Sequence, residues 1–391
     1  MIAEQIKKEM AGGSAIRQMF EEGNRLKRLY GEEAVFDFSL GNPDLPAPPA
    51  VEAAFRQALT EGGPKKHGYM SNAGFAATRQ AVAGREQARC HAPVTANGVI
   101  MTVGAAGALN IIFKSLLNPG DEVLVFAPYF SEYRSYVANA GGVLKVLPTD
   151  PTDFSPDPEV LRAAITLQTK VLLLNSPNNP SGRLYNKSLL KALADCLKEV
   201  EQTVYIVSDE PYVELVYDGL KAPSILDIYP HSLVAYSWSK SLSLAGERIG
   251  YVCLSEDCSD YDDLVNALIY CNRTLGFVNA PALAQRVLAK VASASVDVSV
   301  YQRRRDRLFQ ILQAAGFSCR LPEGAFYLFP VSPEADDRAF CATCAAAKLL
   351  CVPGSSFGMP GHFRLSFCVG DDVIERSADV FLKLGQHYGL C

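Results

Sequence analysis

An α/β architecture is what this chain predicts, and three features carry the prediction. Seven apolar runs fall between Val99 and Leu254, helical periods separate most of them, and the alternation lapses after Leu254. Near-continuous hydrophobic strands interleaved with helices imply a mostly parallel seven-stranded sheet covered on both faces. The expected arrangement is a large domain holding that sheet, and a smaller α+β domain built from the N-terminal arm and the C-terminal part. The boundaries predicted are 1–48 for the arm and its share of the small domain, 49–285 for the large domain, and 286–391 for an interdomain helix and the small domain.

Taken in order, the chain opens on a polar helix, Ser14 to Tyr30, followed by FDFSLGNPDLPAPP, whose proline and glycine mark Gly41 to Pro49 as an extended crossing. A helix is expected from Pro49 to Thr60. The exposed GPKKHGYMSNAGF comes next, then a helix to about Ala92. The strands are expected at Val99 to Val103, Glu122 to Ala127, Val143 to Leu147, Val171 to Asn175, Val204 to Ser208, Leu233 to Tyr236 and Ile249 to Leu254. Ala106 to Leu117, Ser131 to Ala140, Pro158 to Ala164 and Asn186 to Val200 read as helices between them. A long helical region from Tyr261 to about Gly316 contains QRRRDR, Gln302 to Arg307, which reads as a solvated helix face. The tail predicts a strand pair at Ser318 to Leu321 and Ala325 to Pro330, a helix near Asp337 to Leu349, a strand in HFRLSFC, and a closing helix to Leu384.

Composition narrows the function. With 37 Lys and Arg against 42 Asp and Glu, there is no basic footprint for nucleic acid or an anionic membrane. No apolar run reaches the ~20 residues of a membrane helix, and MIAEQIKKEM lacks a signal-peptide core, so a cytoplasmic protein is expected. The 11 cysteines lie mostly in apolar stretches and read as reduced, buried thiols. Cys341 and Cys344 form a C-x-x-C without a second pair, which reads as core packing, and no histidine spacing marks a metal site.

The chemistry concentrates at strand ends, where open α/β sheets bind ligands. SLVAYSWSKSLSLAGERIGY places Ser237, Ser239, Lys240 and Arg248 past one strand. Serine and arginine donors suit a phosphate monoester, and a lysine beside it suits a Schiff base. VGAAGALN opens a helix whose N–H groups at Ala105 and Ala106 can hold a phosphate. NSPNNPSG fixes Asn179 at the sheet edge. SDEPY brings Asp209 and Tyr212 beside it, and PYF adds the aromatic faces of Tyr129 and Phe130. Taken singly, each is also explained by an ordinary polar loop, turn or helix cap, Asp209 as an N-cap among them. Jointly they fit a flat, phosphorylated, pyridine-type aldehyde, pyridoxal 5'-phosphate: Asp209 faces a protonated ring nitrogen, Tyr212 and Asn179 share a ring oxygen, and an aromatic ring stacks on its face.

NxPxNPSG, SDExY and SxSKxxxxxGxRxG, in that order, make the chain resemble the fold-type I pyridoxal-phosphate aminotransferases of class I/II, related to aspartate aminotransferase. The resemblance runs from SLGNPD to FRLSF. It implies that Lys240 holds the cofactor, that Asp209 pairs with the pyridine nitrogen, and that Phe130 stacks on the ring. Ala105, Ala106, Ser237, Ser239 and Arg248 would hold the phosphate, joined by Tyr69 from the other subunit of a homodimer with shared sites. Arg364 would clamp the substrate α-carboxylate beside the backbone of Gly41. The implied reaction is a ping-pong aldimine/ketimine transamination between an L-amino acid and a 2-oxo acid, with Lys240 as general base.

Ala106 stands where many bacterial aspartate aminotransferases of the subgroup have a lysine for the distal carboxylate. Lys65, Lys66, His67 and Arg273 are the other cations by position or character, and aspartate, alanine, aromatic and branched substrates all stay open. Two rivals are weighed: a β-eliminating carbon–sulfur lyase on the same site, and a non-catalytic cofactor-sensing domain. The second needs a DNA-binding attachment for which about forty leading residues are too few.

Overall fold

The computed structural model describes residues 2–11, 15–61 and 63–391. Seven strands form one sheet: β2 (Val99–Thr102), β3 (Glu122–Phe126), β4 (Val143–Leu147), β5 (Thr169–Asn175), β6 (Tyr205–Asp209), β7 (Ser232–Ser237) and β8 (Gly250–Leu254), in the order β2-β8-β7-β6-β5-β3-β4. The pairs β3 with β4, β3 with β5, β5 with β6 and β6 with β7 are parallel. Only β8 runs against its neighbours, β2 and β7. The carboxyl ends of β2, β3, β5, β6 and β7 therefore share one edge.

Both faces of this sheet are covered, which is why its strands read as continuous apolar runs. Leu124, Leu172, Ile206 and Val234 face one core, while Val123, Val171, Val207 and Leu233 face the other. Asn186 caps the helix Lys187–Lys198 by accepting from the N–H of Leu189, and Asp157 caps Pro158–Ala164.

Five short strands lie apart: β1 (Phe36–Asp37), β9 (Tyr327–Leu328), β10 (Leu349–Leu350), β11 (Val352–Pro353) and β12 (Phe363–Ser366). β1 pairs parallel with β10, and β12 lies between β11 and β9, antiparallel to both. Phe38, Tyr301, Leu308, Phe340, Phe363 and Phe381 fill a third core beneath them.

Several expectations change. The first long helix covers Ala15–Tyr30, and Ser14, its expected start, lies outside the described residues. The region after Tyr261 is three helices, Tyr261–Thr274, Ala282–Val291 and Val298–Ala314. Gly276, at φ 90°, ends the first, Pro281 opens the second, and Asp297 caps the third. Ser318 to Leu321 form no strand. Within Ala325 to Pro330, the expected partner, β9 pairs with β12 instead, and the main-chain bond that Ser318 accepts comes from the N–H of Val331, just past that segment. The QRRRDR stripe is a solvated face only in part: Arg303 and Arg307 are exposed, as expected, but the two arginines between them are not. Arg304 and Arg305 are buried, because acidic side chains from other elements meet them: Asp44 and Asp371 at Arg304, Asp218 at Arg305. Cys341 and Cys344 pack in the third core, where the Cys341 sulfur lies 3.3 Å from that of Cys351. Among the described residues, no helix is long and apolar enough to cross a membrane, and no group of three or more His, Cys, Asp or Glu is poised around a metal.

Candidate active site

A cavity of about 250 Å³ opens at the shared strand edge. Of the thirteen residues singled out from the sequence, twelve line it: Gly41, Ala105, Ala106, Phe130, Asn179, Asp209, Tyr212, Ser237, Ser239, Lys240, Arg248 and Arg364. Tyr69 does not. It is 92% exposed and stands outside the cavity. Tyr129, the other aromatic of PYF, is buried away from the lining and accepts from Arg134.

The turn after β5 is tied to the next strand through Asn175, whose amide donates to the main-chain oxygen of Asp209 (2.9 Å) and accepts from the N–H of Asn179 (2.7 Å). Asp209 ends β6 and caps no helix. Its Oδ2 accepts from the Tyr133 hydroxyl at 2.5 Å, while Oδ1 has no partner among the described residues. Burial pushes the Asp209 carboxyl up to about 7 against the pull of the Tyr133 bond, and the neighbouring Glu210 adds to the rise. A carboxylate so placed calls for a cation or an N–H donor at Oδ1.

Lys240 follows β7. Its Nζ donates to the main-chain oxygen of Gly41 at 2.5 Å and lies 5.4 Å from the Phe326 ring. No carboxylate among the described residues pairs with it. Burial brings the ammonium down to about 8, and the cations Arg364 and Arg248 press in the same direction against the Cys368 thiol. A lysine held near its neutral form is a nucleophile and a base.

Arg364, on β12, is also buried and has no carboxylate partner among the described residues. Nη1 donates to Oδ1 of Asn179 (3.0 Å), Nη2 donates to the carbonyl of Ser39 (2.6 Å), and Nε has no partner among the described residues. The guanidinium lies over the Tyr327 and Phe357 rings, and burial lowers its proton affinity. Tyr212 shares a hydrogen bond with Tyr327 at 3.0 Å between their hydroxyls.

Opposite, the helix Gly104–Leu116 presents its first N–H groups past β2. Gly104 has φ 70°, and a Cβ there would come 2.9 Å from Nη2 of Arg248. The left-handed φ is the reason this position favours glycine, and a side chain there would also push the arginine's end aside. Ser237 and Ser239 complete an anion cradle with these groups.

Sequence reasoning missed Asn175, Tyr133, Tyr136 and Tyr327, all in the lining. Tyr133 had a signal: it lies three residues past Phe130, and the two rings meet edge to face at 5.5 Å. The residues fit pyridoxal phosphate on the structure's own terms, with an orphaned acceptor, an uncharged-prone lysine and an anion cradle in one cavity.

The sequence model of the family described as aminotransferase class I and II matches residues 33–381. A probable aspartate/prephenate aminotransferase of Thermus aquaticus is 36% identical over 349 residues, covering 88% of this chain and 89% of its own. An aminotransferase structure from Eubacterium rectale superposes with a TM-score of 0.95 at 38% identity, covering 99% of both chains. The Thermus thermophilus aspartate aminotransferase structure with maleate superposes at 0.86 with 32% identity, covering 95% of this chain and 96% of that one. The chain belongs to the class I and II aminotransferases and is a pyridoxal-phosphate-dependent, fold-type I enzyme that moves amino groups between amino acids and 2-oxo acids.

Proposed function

We propose that the reaction runs in this cavity, with Lys240 as the group that holds the cofactor and then moves the substrate's α-proton. The observation that supports this most directly is the buried Lys240 amine without a carboxylate partner, facing the same space as the orphaned Oδ1 of Asp209. When bound, pyridoxal phosphate supplies an electrophilic aldehyde carbon and an electron-accepting ring. Asp209, through its free Oδ1, would hold the ring nitrogen and keep it protonated. Phe130 would stack on the ring, and Tyr212 and Asn179 would donate to its oxygen. Ser237, Ser239, Arg248 and the N–H groups of Ala105 and Ala106 would hold the phosphate. Arg364 orients the amino acid by its α-carboxylate beside Gly41, which places the α-hydrogen within reach of Nζ of Lys240.

The cavity's cations are Lys240, Arg248 and Arg364, and each has a task in this scheme. With alanine at position 106, the chain offers no further cation there for a second carboxylate, so we propose an amino donor with an uncharged side chain. Aspartate is the second reading, favoured by the names of the Thermus relatives, and it needs a cation from outside this lining. The exposed Tyr69 supports a homodimer in which it serves the partner's phosphate cradle. Val287, Leu288 and Val291 pack with the large sheet, so we place the domain division after Val291 rather than at 285, with the arm, 1–48, joining the smaller unit. Buried free thiols support a reducing, cytoplasmic setting.

Borohydride reduction of the cofactor-loaded protein, followed by peptide mapping, tests the assignment. A cofactor-sized mass on Lys240 is the expected result, and a label on any other lysine would overturn it. Adding single amino acids without an oxo acid then ranks donors by conversion of the visible spectrum.

A further inference from the structure

The buried half of the QRRRDR stripe has a use that neither its charge nor its helix explains. Arg304 donates through Nη1 to both carboxylate oxygens of Asp44, at 2.9 and 2.7 Å, and through Nε to Oδ1 of Asp371 at 2.5 Å. Its ring neighbour Tyr301 reaches the same Asp44 carboxylate at 3.5 Å. Asp44 closes the short segment that begins at Ser39, and that segment touches both reactive cations through main-chain oxygens. Ser39 O accepts from Arg364, and Gly41 O accepts from Lys240.

A carbonyl has no side chain to hold it, so its position is set by the anchors on either side. On one side, Asp37 is fixed in β1, and its Oδ1 accepts from the N–H and hydroxyl of Ser39. On the other, the side-chain anchor is Asp44 on Arg304. Between them Gly41 packs so closely on Tyr327 and Phe326 that a Cβ would overlap the Tyr327 hydroxyl. A segment seated this tightly transmits a displacement of its end to its carbonyls.

We propose that Arg304 is a positioning residue for the reaction: through Asp44 it sets the Ser39 and Gly41 carbonyls against Arg364 and Lys240, and so tunes capture of the substrate's α-carboxylate. The inference rests on the reading of Arg364 as the carboxylate clamp. A pair that served only to join the two elements would add to stability and leave ligand affinity alone.

The test uses the cofactor-loaded enzyme and propionate, a carboxylate without an amine, titrated through the change it makes in the visible spectrum. Arg304→Gln and Asp44→Asn are each expected to weaken propionate roughly tenfold, and to raise the amino acid KM by a similar factor with kcat changed less than about threefold. The double variant should lose no more than either single one, because both cut one link. Arg304→Lys keeps the charge but not the fork, and falls between. Unchanged propionate affinity in the single variants, with only a lower melting temperature, overturns the proposal. Should Arg304→Gln fail to fold, Asp44→Asn decides alone, since that carboxylate lies nearer the surface. Arg364→Gln separates the two readings. If it also leaves propionate binding intact, the clamp assignment fails; if it abolishes binding while Asp44→Asn does not weaken it, only the latch fails.

Discussion

The Tyr133 hydroxyl donates to one oxygen of the Asp209 carboxylate and leaves the other without a partner. The pair is therefore asymmetric, one lone-pair set being satisfied from behind and the other turned to the cavity. Removing the donor with Tyr133→Phe strips a charge-assisted hydrogen bond of about 1.5–3 kcal/mol from a buried carboxylate. Its proton affinity should climb further above about 7. We expect cofactor affinity to fall roughly tenfold or more, and the acid limb of the pH–rate profile to move upward. Equilibrium dialysis and the pH profile measure both; no movement in either would sink the role given to Tyr133.

Lys240→Ala should remove both turnover and the visible absorbance of the lysine-bound cofactor. Asp209→Ala should still bind cofactor through the phosphate cradle yet lose most activity, on the order of a hundredfold or more. Full activity in the Asp209 variant, read by a coupled oxo acid assay, contradicts the electron-sink assignment.

The raised proton affinity of Asp209 has a signed effect on stability. Its folded value, about 7, exceeds the 3.8 of a free carboxyl, so between them the folded state binds the extra proton. Folding is then favoured below pH 3.8 relative to neutral pH, and that advantage is lost as pH rises from 4 to 7. Urea unfolding of the cofactor-free protein should show this loss. Asp209→Asn should flatten it, and a parallel dependence in both proteins would count against the assignment.

Gly41→Ala puts a methyl group where the Tyr327 hydroxyl already sits, with the Phe326 ring 3.1 Å away. Overpacking of this kind costs about 1–3 kcal/mol. The segment should shift and carry its carbonyl away from Lys240, raising the amino acid KM. Steady-state kinetics that match the parent would show that the contact yields without consequence.

Tyr69 offers a test of shared sites. A mixture of Lys240→Ala and Tyr69→Ala chains, each nearly inactive alone, should regain activity after dissociation and reassociation, because a mixed dimer contains one complete site. Random pairing restores about a quarter of the sites. If mixing restores nothing, each chain completes its own cavity.

Much of this was legible in the sequence because it is local. An apolar run such as Val171 to Asn175 ends in a polar turn, and where it ends is where its ligand groups must stand. The direction of β8 was not legible, since Tyr251 and Val252 read the same in either orientation. Tyr133 reads as helix surface until β6 places Asp209 against it, and Arg304 reads as solvated until Asp44 arrives from the other end of the chain. Ser318 to Leu321 have strand character but no neighbour with a free edge. In each case the deciding partner is remote, and composition within a window carries no trace of it.

The pairing of Phe36 with Leu349 and of Asp37 with Leu350 has a consequence for how the protein is made. During synthesis the N-terminal arm leaves the ribosome long before its partner strand exists, and the central sheet can assemble in the interval. Phe38 belongs to the third core, and its ring partner Phe381 comes only from the last tenth or so of the chain. Delayed closure of this kind exposes apolar surface in nascent chains, and truncation before Leu349 leaves the arm with nothing to pair against.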